Sequence, residues 1–281
     1  MVFAALALVA IAPLPAACAL PMAVPQPIPA PAPPPPYAAI ADLMIAAPVV
    51  LDATITSAVR IKGAEAASVP PGVTRYYVEA AVTALIRGPG AIPPVIGYLV
   101  DMPTPDGRQP KLKKMRVLAF ARPVNGSPNQ FQLVTPAAQL SWTPDTDALT
   151  RRIAAELVAG DAPPEITGIG NAFHVPGSLP GEGETQVFLT TRDNRPVSLN
   201  VLRRPGEQPR WAVALSEIVD DSAGPPKRDT LLWYRLACGL PRALPARATQ
   251  AIETADAAVA REDYRFVLEQ LGPCRRDSAT Y

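Results

Sequence analysis

The 281-residue chain carries a single histidine, His174, and three cysteines, Cys18, Cys238 and Cys274. That scarcity settles much of the chemistry. One imidazole excludes clustered-histidine metal sites and a helical HExxH zinc site. A Ser-His-Asp or Cys-His nucleophile would have to use His174, which lies in a segment read as a loop, without a G-x-S-x-G elbow. His174 is therefore expected to have no catalytic role. Once the leader is removed, two cysteines remain, too few for a structural zinc site without histidine partners.

Glu182 with Glu184, and Asp220-Asp221, are the adjacent carboxylates that glycosidase chemistry would draw on. Each reads more simply as part of a solvated loop. Gly181–Glu184, with Gly177 and Gly168-Ile169-Gly170, is rich enough in glycine to suggest a phosphate cradle. No Gly-Lys-Ser/Thr follows it, and glutamates repel phosphate. Arg203-Arg204 and Arg275-Arg276 are short basic doublets that read as solvated surface. With 26 basic and 25 acidic residues the formal charge is +1, which removes the electrostatic case for nucleic-acid binding. No catalytic, cofactor-binding or metal-ligating residue is assigned, and no cofactor is expected.

The compartment is read from the beginning of the chain. No charged residue precedes Asp42, and residues 2–12 form an apolar run of signal-peptide length, broken by Pro13 and Pro15. Ala17-Cys18-Ala19 then offers an A-x-A-like cleavage site. The run falls short of the ~20 apolar residues needed to span a bilayer. A signal peptide over residues 1–19 is expected, giving a periplasmic or secreted protein with no transmembrane helix in its mature form. The usual basic start of such a signal is missing. Cys18 raises the alternative of a lipid anchor, although Pro15 stands where the lipoprotein pattern wants a leucine-like residue. Residues 20–36 form a Pro/Ala-rich linker suited to polyproline II and unable to build a core.

Export makes Cys238 and Cys274 a natural pair, because disulfides persist in oxidising compartments. Cys238 ends a helix expected over residues 229–238. Cys274 follows Gly272-Pro273, just past a helical section expected over 246–271. Pro241 and Pro245 let the chain fold back between them, so a Cys238–Cys274 disulfide is expected.

The elements that must position all this follow from periodicity. A short opening helix is expected over residues 37–47, ending at Pro48. Residues 49–62 alternate, with Leu51, Ala53, Ile55, Val59 and Ile61 on one face and Asp52, Thr54, Thr56 and Arg60 on the other. Residues 74–87 alternate again, placing Tyr76, Val78, Ala80, Val82, Ala84 and Ile86 together. Further strands are expected over 95–102, 112–121 and 130–142, with an Asp106-Gly107 turn between the first two. A helix over 145–159, capped by Thr143 or Asp145 and stopped by Gly160, closes this half. Pro163-Pro164 marks the domain boundary. After Gly-rich loops around 168–183, strands are expected over 186–191, 197–203 and 211–219, turning at Asp193-Asn194 and Pro205-Gly206.

Several antiparallel strands in about 100 residues, two of them long, point to a small closed barrel. Ala41-Asp42 in a helix before a strand, Ile86-Arg87-Gly88 ending a long alternating one, and a later Val117-Leu118-Ala119-Phe120 strand resemble the opening of OB-like domains of secreted proteins. The resemblance spans residues 38–143. It implies a barrel of a kind that binds oligonucleotides or oligosaccharides, but it carries no site residue across, and stacking aromatics are sparse here.

The fold expected is α+β: an OB-like antiparallel barrel over residues 37–160, then an α+β domain over 161–281 with a C-terminal helical section. The function expected is a non-enzymatic binding or envelope-assembly module, partnered by an envelope protein or glycan and not by nucleic acid. A carboxylate-dependent hydrolase acting on an envelope glycan or peptide is the alternative.

Overall fold

A computed structural model describes residues 35–104, 107–216 and 224–276. The leader with Cys18, the greater part of the linker, Asp106 and Asp220-Asp221 lie outside the described residues.

The first half is a five-stranded closed barrel. Its strands are β1 (Val49–Arg60), β2 (Val73–Arg87), β3 (Val95–Pro103), β4 (Arg116–Val124) and β5 (Ser127–Leu133). They run in the order β1-β2-β3-β5-β4, and β4 pairs back with β1 to close the wall. Closure removes the exposed edges that an open sheet of this length would present. One pairing departs from the antiparallel pattern: β3 and β5 run parallel. Leu51, Ile55, Val78, Tyr98, Leu118 and Phe120 are all buried. Each large apolar side chain enclosed in this way contributes about 1.5–3 kcal/mol. A short strand, β6 (Gln139–Ser141), adds to β4 beyond β5. The single strand expected over 130–142 is thus divided in two, by a turn containing Pro136, which cannot donate to a ladder.

Strand β1 breaks the alternation expected of it. Asp52, assigned to the outer face, is fully buried, and Val59, assigned inward, is 57% exposed. The β1–β2 ladder shifts register at Val50/Leu51, at Asp52/Ala53 and between Ile55 and Ser57. Only the last shift has its extra residue, Thr56, on β1, and it exchanges the faces of the strand before Val59. At the first two the extra residues, Ile86 and Thr83, lie on β2, and Asp52 is buried because both faces of β1 are covered from Val49 to Ala53.

Helices α1 (Tyr37–Ala46) and α2 (Pro144–Val158) flank the barrel strands in sequence and pack against each other. The Thr143 hydroxyl accepts from the Thr146 N–H at 3.1 Å and fixes the start of α2.

The second sheet is antiparallel, in the order β10-β9-β8-β7: β7 (Ile166–Pro176), β8 (Gly183–Thr191), β9 (Val197–Arg203) and β10 (Arg210–Ala214). Strand β7 occupies much of a region expected to be Gly-rich loops. The β7–β8 ladder shifts register at Ile166/Gly168 and at Ile169/Ala172, where Gly168 and Gly170 lie close to Thr190 and Phe188. The glycines mark a bulged strand with close neighbours.

Helices α3 (Leu231–Gly239) and α4 (Thr254–Leu271) pack on β7, and α4 also on β8. The helical section expected over 246–271 is a 3₁₀ turn, Ala246–Thr249, followed by α4. The boundary expected at 160/161 falls where α2 gives way to the second sheet, and buried apolar residues run continuously from the barrel to α4.

Candidate functional site

The site begins with a mismatch in chain length. Strand β3 pairs with β2 over nine residue pairs, but its ladder with β5 consists of Gly97↔Gln130 alone. Contact resumes where the Asp101 N–H donates to the Pro136 carbonyl at 2.8 Å. Between those two points Tyr98, Leu99 and Val100 on β3 stand opposite the longer stretch from Phe131 to Thr135. The surplus chain opens the barrel wall into a groove of about 610 Å³. That volume lies within the range of about 300–1,000 Å³ usual for ligand pockets.

The β2–β3 register sets the outer rim. Tyr77 stands opposite Leu99, and Arg75 opposite Asp101. Arg75 Nε and Nη2 donate to Asp101 Oδ1 and Oδ2 at 2.7 and 2.8 Å. This two-pronged hydrogen bond holds the guanidinium above its usual pKa, and the two side chains form an ion pair whose opposite charges offset each other. Leu99 is 48% exposed at the middle of the groove, with exposed Val124 and Gln132 nearby and buried Phe131 and Leu133 lining it too.

Tyr77 is held across the sheet by an absent side chain. A Cβ on Gly97 would lie 2.9 Å from Tyr77 Cζ and 2.9 Å from Gln130 Nε2, closer than real Cβ atoms approach. Gly97 therefore supplies the space in which the phenol ring crosses β3. Gln130 Nε2 donates to Tyr77 Oη at 2.9 Å and fixes the ring from the far side. Beneath, Tyr98 Oη donates to Gln139 Oε1 at 2.6 Å, and burial pushes that phenol's pKa well above its ordinary value.

The groove thus offers one aromatic face, two side-chain amides, a neutralised ion pair and an apolar floor. Asp101 is the one carboxylate among its lining residues, and Arg75 already engages it. Acid–base cleavage of a glycosidic bond requires two carboxyl groups facing one bond. The arrangement is suited to holding a ligand.

The residues singled out in the sequence lie elsewhere. His174, near the C-terminal end of β7 rather than in a loop, is buried, with Nδ1 2.9 Å from Thr185 Oγ1. The Thr185 hydroxyl donates to Asp263 Oδ2 at 2.5 Å, and Arg203 Nε donates to Asp263 Oδ1 at 2.7 Å. With the hydroxyl donating to the carboxylate, His174 Nδ1–H is the donor to Thr185. A nucleophilic triad needs the imidazole between carboxylate and hydroxyl, and here the hydroxyl is in the middle. The chain of contacts ties α4 to the sheet.

Glu182 Oε2 accepts from the Ser178 and Leu179 N–H groups at 3.0 and 3.2 Å, which binds it into the β7–β8 turn, whereas Glu184 is exposed. Of the basic doublets, Arg203 is engaged by Asp263, and Arg276 Nε donates to Asp42 Oδ2 at 2.6 Å. Arg204 and Arg275 are exposed. Cys238 and Cys274 come to disulfide distance, with sulfurs 2.08 Å and Cα atoms 5.2 Å apart.

The groove residues were not singled out in the sequence. Their faint signal is Tyr77, an outward aromatic on an alternating strand, with a glycine, Gly97, inside the next strand. No protein-family model matches the chain, and no curated protein matches it.

Proposed function

We propose that the protein is an exported, non-enzymatic binding module that holds its ligand in the groove between β3 and β5. The observation that carries this reading is the opened barrel wall itself, rimmed by the fixed Tyr77 ring and the Arg75–Asp101 pair. OB-like barrels bind along the face of strands 2 and 3, which is the face this groove adjoins. The uncharged apolar leader and the cysteine pair at bonding distance favour work in the periplasm or outside the cell. Among the described residues no helix is long and apolar enough to cross a membrane.

Thermal unfolding of the mature chain in the presence of fractionated envelope material tests the reading. A ligand that binds only the folded state raises Tm. A fraction that stabilises the wild type but not Leu99→Glu supports the groove as the site. Equal stabilisation of both proteins would place binding elsewhere, and steady consumption of the ligand would make the protein an enzyme.

A further inference from the structure

We infer that Arg235 anchors a small aliphatic carboxylate in a second, smaller pocket, separate from the groove between β3 and β5. This pocket, of about 260 Å³, lies among the end of α2, the link at residues 162–165, the β8–β9 turn and α3.

Its walls are pinned by the fold. Arg192 Nε and Nη2 donate to Glu165 Oε2 and Oε1 at 2.8 and 2.7 Å, and the Arg192 N–H donates to the Glu165 carbonyl at 3.0 Å. Arg195 Nε donates to Asp193 Oδ2 at 2.7 Å, and Arg195 Nη2 to the Ala162 carbonyl at 2.8 Å. Three guanidiniums and two carboxylates therefore line the pocket, and each carboxylate is engaged by an arginine other than Arg235.

Arg235 is the cation left over. Among the described residues it makes no ion pair, and its Nε is buried without a hydrogen-bond acceptor. Its charge does reach Glu165, whose carboxyl is held below its usual pKa chiefly by the Arg192 hydrogen bond, with Arg235 adding least. On its other side Arg235 borders a cavity of about 170 Å³, where the one lining carboxylate is again Glu165. A buried donor without an acceptor has lost its hydration for no return, and native structures hold few of them. A ligand oxygen removes that cost.

The charge count selects a monoanion. One positive charge is uncompensated, while Glu165 and Asp193 oppose a phosphate dianion. A guanidinium fork matches the two oxygens of a carboxylate with parallel N–H bonds. The remaining lining selects an alkyl tail: Leu157, Leu231, Pro163 and Pro164 are apolar, and neither proline has an N–H to donate. Leu231 and Arg235 lie one turn apart on α3 and share a face, so a carboxylate on Arg235 brings its tail beside Leu231. The volume falls below the range of about 300–1,000 Å³ usual for ligand pockets, which keeps the acid small.

The Nε–Hε resonance of Arg235 in the full mature chain is followed by NMR during titration with sodium butyrate at constant ionic strength. Butyramide is the uncharged control, methylphosphonate the phosphate-like one, and N-acetylalanylalanine the model of a peptide C-terminus. Butyrate is expected to shift the resonance saturably, methylphosphonate to bind more weakly, and butyramide to leave it unmoved. Tighter binding of N-acetylalanylalanine than of butyrate supports the site with a peptide terminus as the source of the carboxylate, and weaker binding supports it with a free acid. Arg235→Met is expected to weaken butyrate at least about tenfold. Without butyrate it should resist urea as well as the wild type or better, because the unpaired donor goes with the charge. A structural arginine would not give that second result. Marked destabilisation of ligand-free Arg235→Met would mean that the fold already satisfies the guanidinium, and overturns the inference. An Arg235 resonance unmoved by butyrate overturns it too, as does one that butyrate and methylphosphonate shift alike, the mark of an adventitious anion only.

Discussion

The Tyr77 ring occupies the volume that a side chain at Gly97 would fill: a Cβ there would stand 2.9 Å from the ring carbon Cζ. The aromatic surface of the groove therefore depends on a glycine one strand away. Gly97→Ala is expected to destabilise the protein by about 1–2 kcal/mol, in the range of mild overpacking. In a Tyr77→Ala background the same change should be neutral or stabilising, since glycine is otherwise a poor strand residue. A double-mutant cycle in urea measures the coupling, expected at about 0.5–3 kcal/mol. Additive effects would mean that the ring does not rest on Gly97.

The Cys238–Cys274 pair closes a loop with a sequence separation of 36. Chain-entropy arguments assign a crosslink of that span about 4 kcal/mol, less any strain. Cys238→Ser with Cys274→Ser should lower the unfolding free energy by about 2–4 kcal/mol. Non-reduced peptide mapping of the isolated protein should recover the two cysteine peptides joined. Recovery of both as free thiols would contradict the pairing.

Asp263 is fully buried, and Arg203 is its cationic partner. Removing one side of a buried pair leaves an uncompensated charge. Arg203→Ala is expected to cost about 3 kcal/mol, and Glu262→Ala, whose carboxylate is 3.5 Å from Arg203 and exposed, under about 0.5 kcal/mol. Equal effects in chemical denaturation would show that Asp263 is solvated.

Tyr37, Tyr98, Tyr234 and Tyr264 all have phenol pKa values pushed up, by burial in each case. The carboxylates of Glu156 and Asp42 add to the rise at Tyr37 and Tyr234 by accepting their protons. The folded state keeps these protons where the unfolded chain loses them. Their contribution to stability is thus whole below a pH of about 10 and declines above it. Phenolate absorbance should show these four ionising only together with unfolding. Independent ionisation of all tyrosines near pH 10, with the fold intact, would contradict the assigned burial.

These residues show what the sequence made legible. Alternation located the long strands, and Leu51, Ile55 and Val78 are buried as that pattern requires. It misplaced Val59 because the bulge at Thr56 leaves no mark in a list of residue types, and Asp52 because the strand is covered on both faces from Val49 to Ala53. Gly168 and Gly170 read as loop because glycine permits a bulged strand as readily as a turn. The groove was illegible for a related reason. It arises from a difference in chain length between two strands that are neighbours in the sheet but not consecutive in sequence, and neither β3 nor β5 carries that difference in its own sequence.

The most direct test of the central claim is to map, by backbone amide chemical shifts, where a bound ligand perturbs the mature protein. Saturating it with the envelope fraction that raises Tm should shift the amides of Tyr77, Gly97, Leu99 and Gln130 through Thr135, leaving the β7–β10 sheet unmoved. Shifts concentrated on β7–β10, with the β3–β5 groove unmoved, would contradict the account.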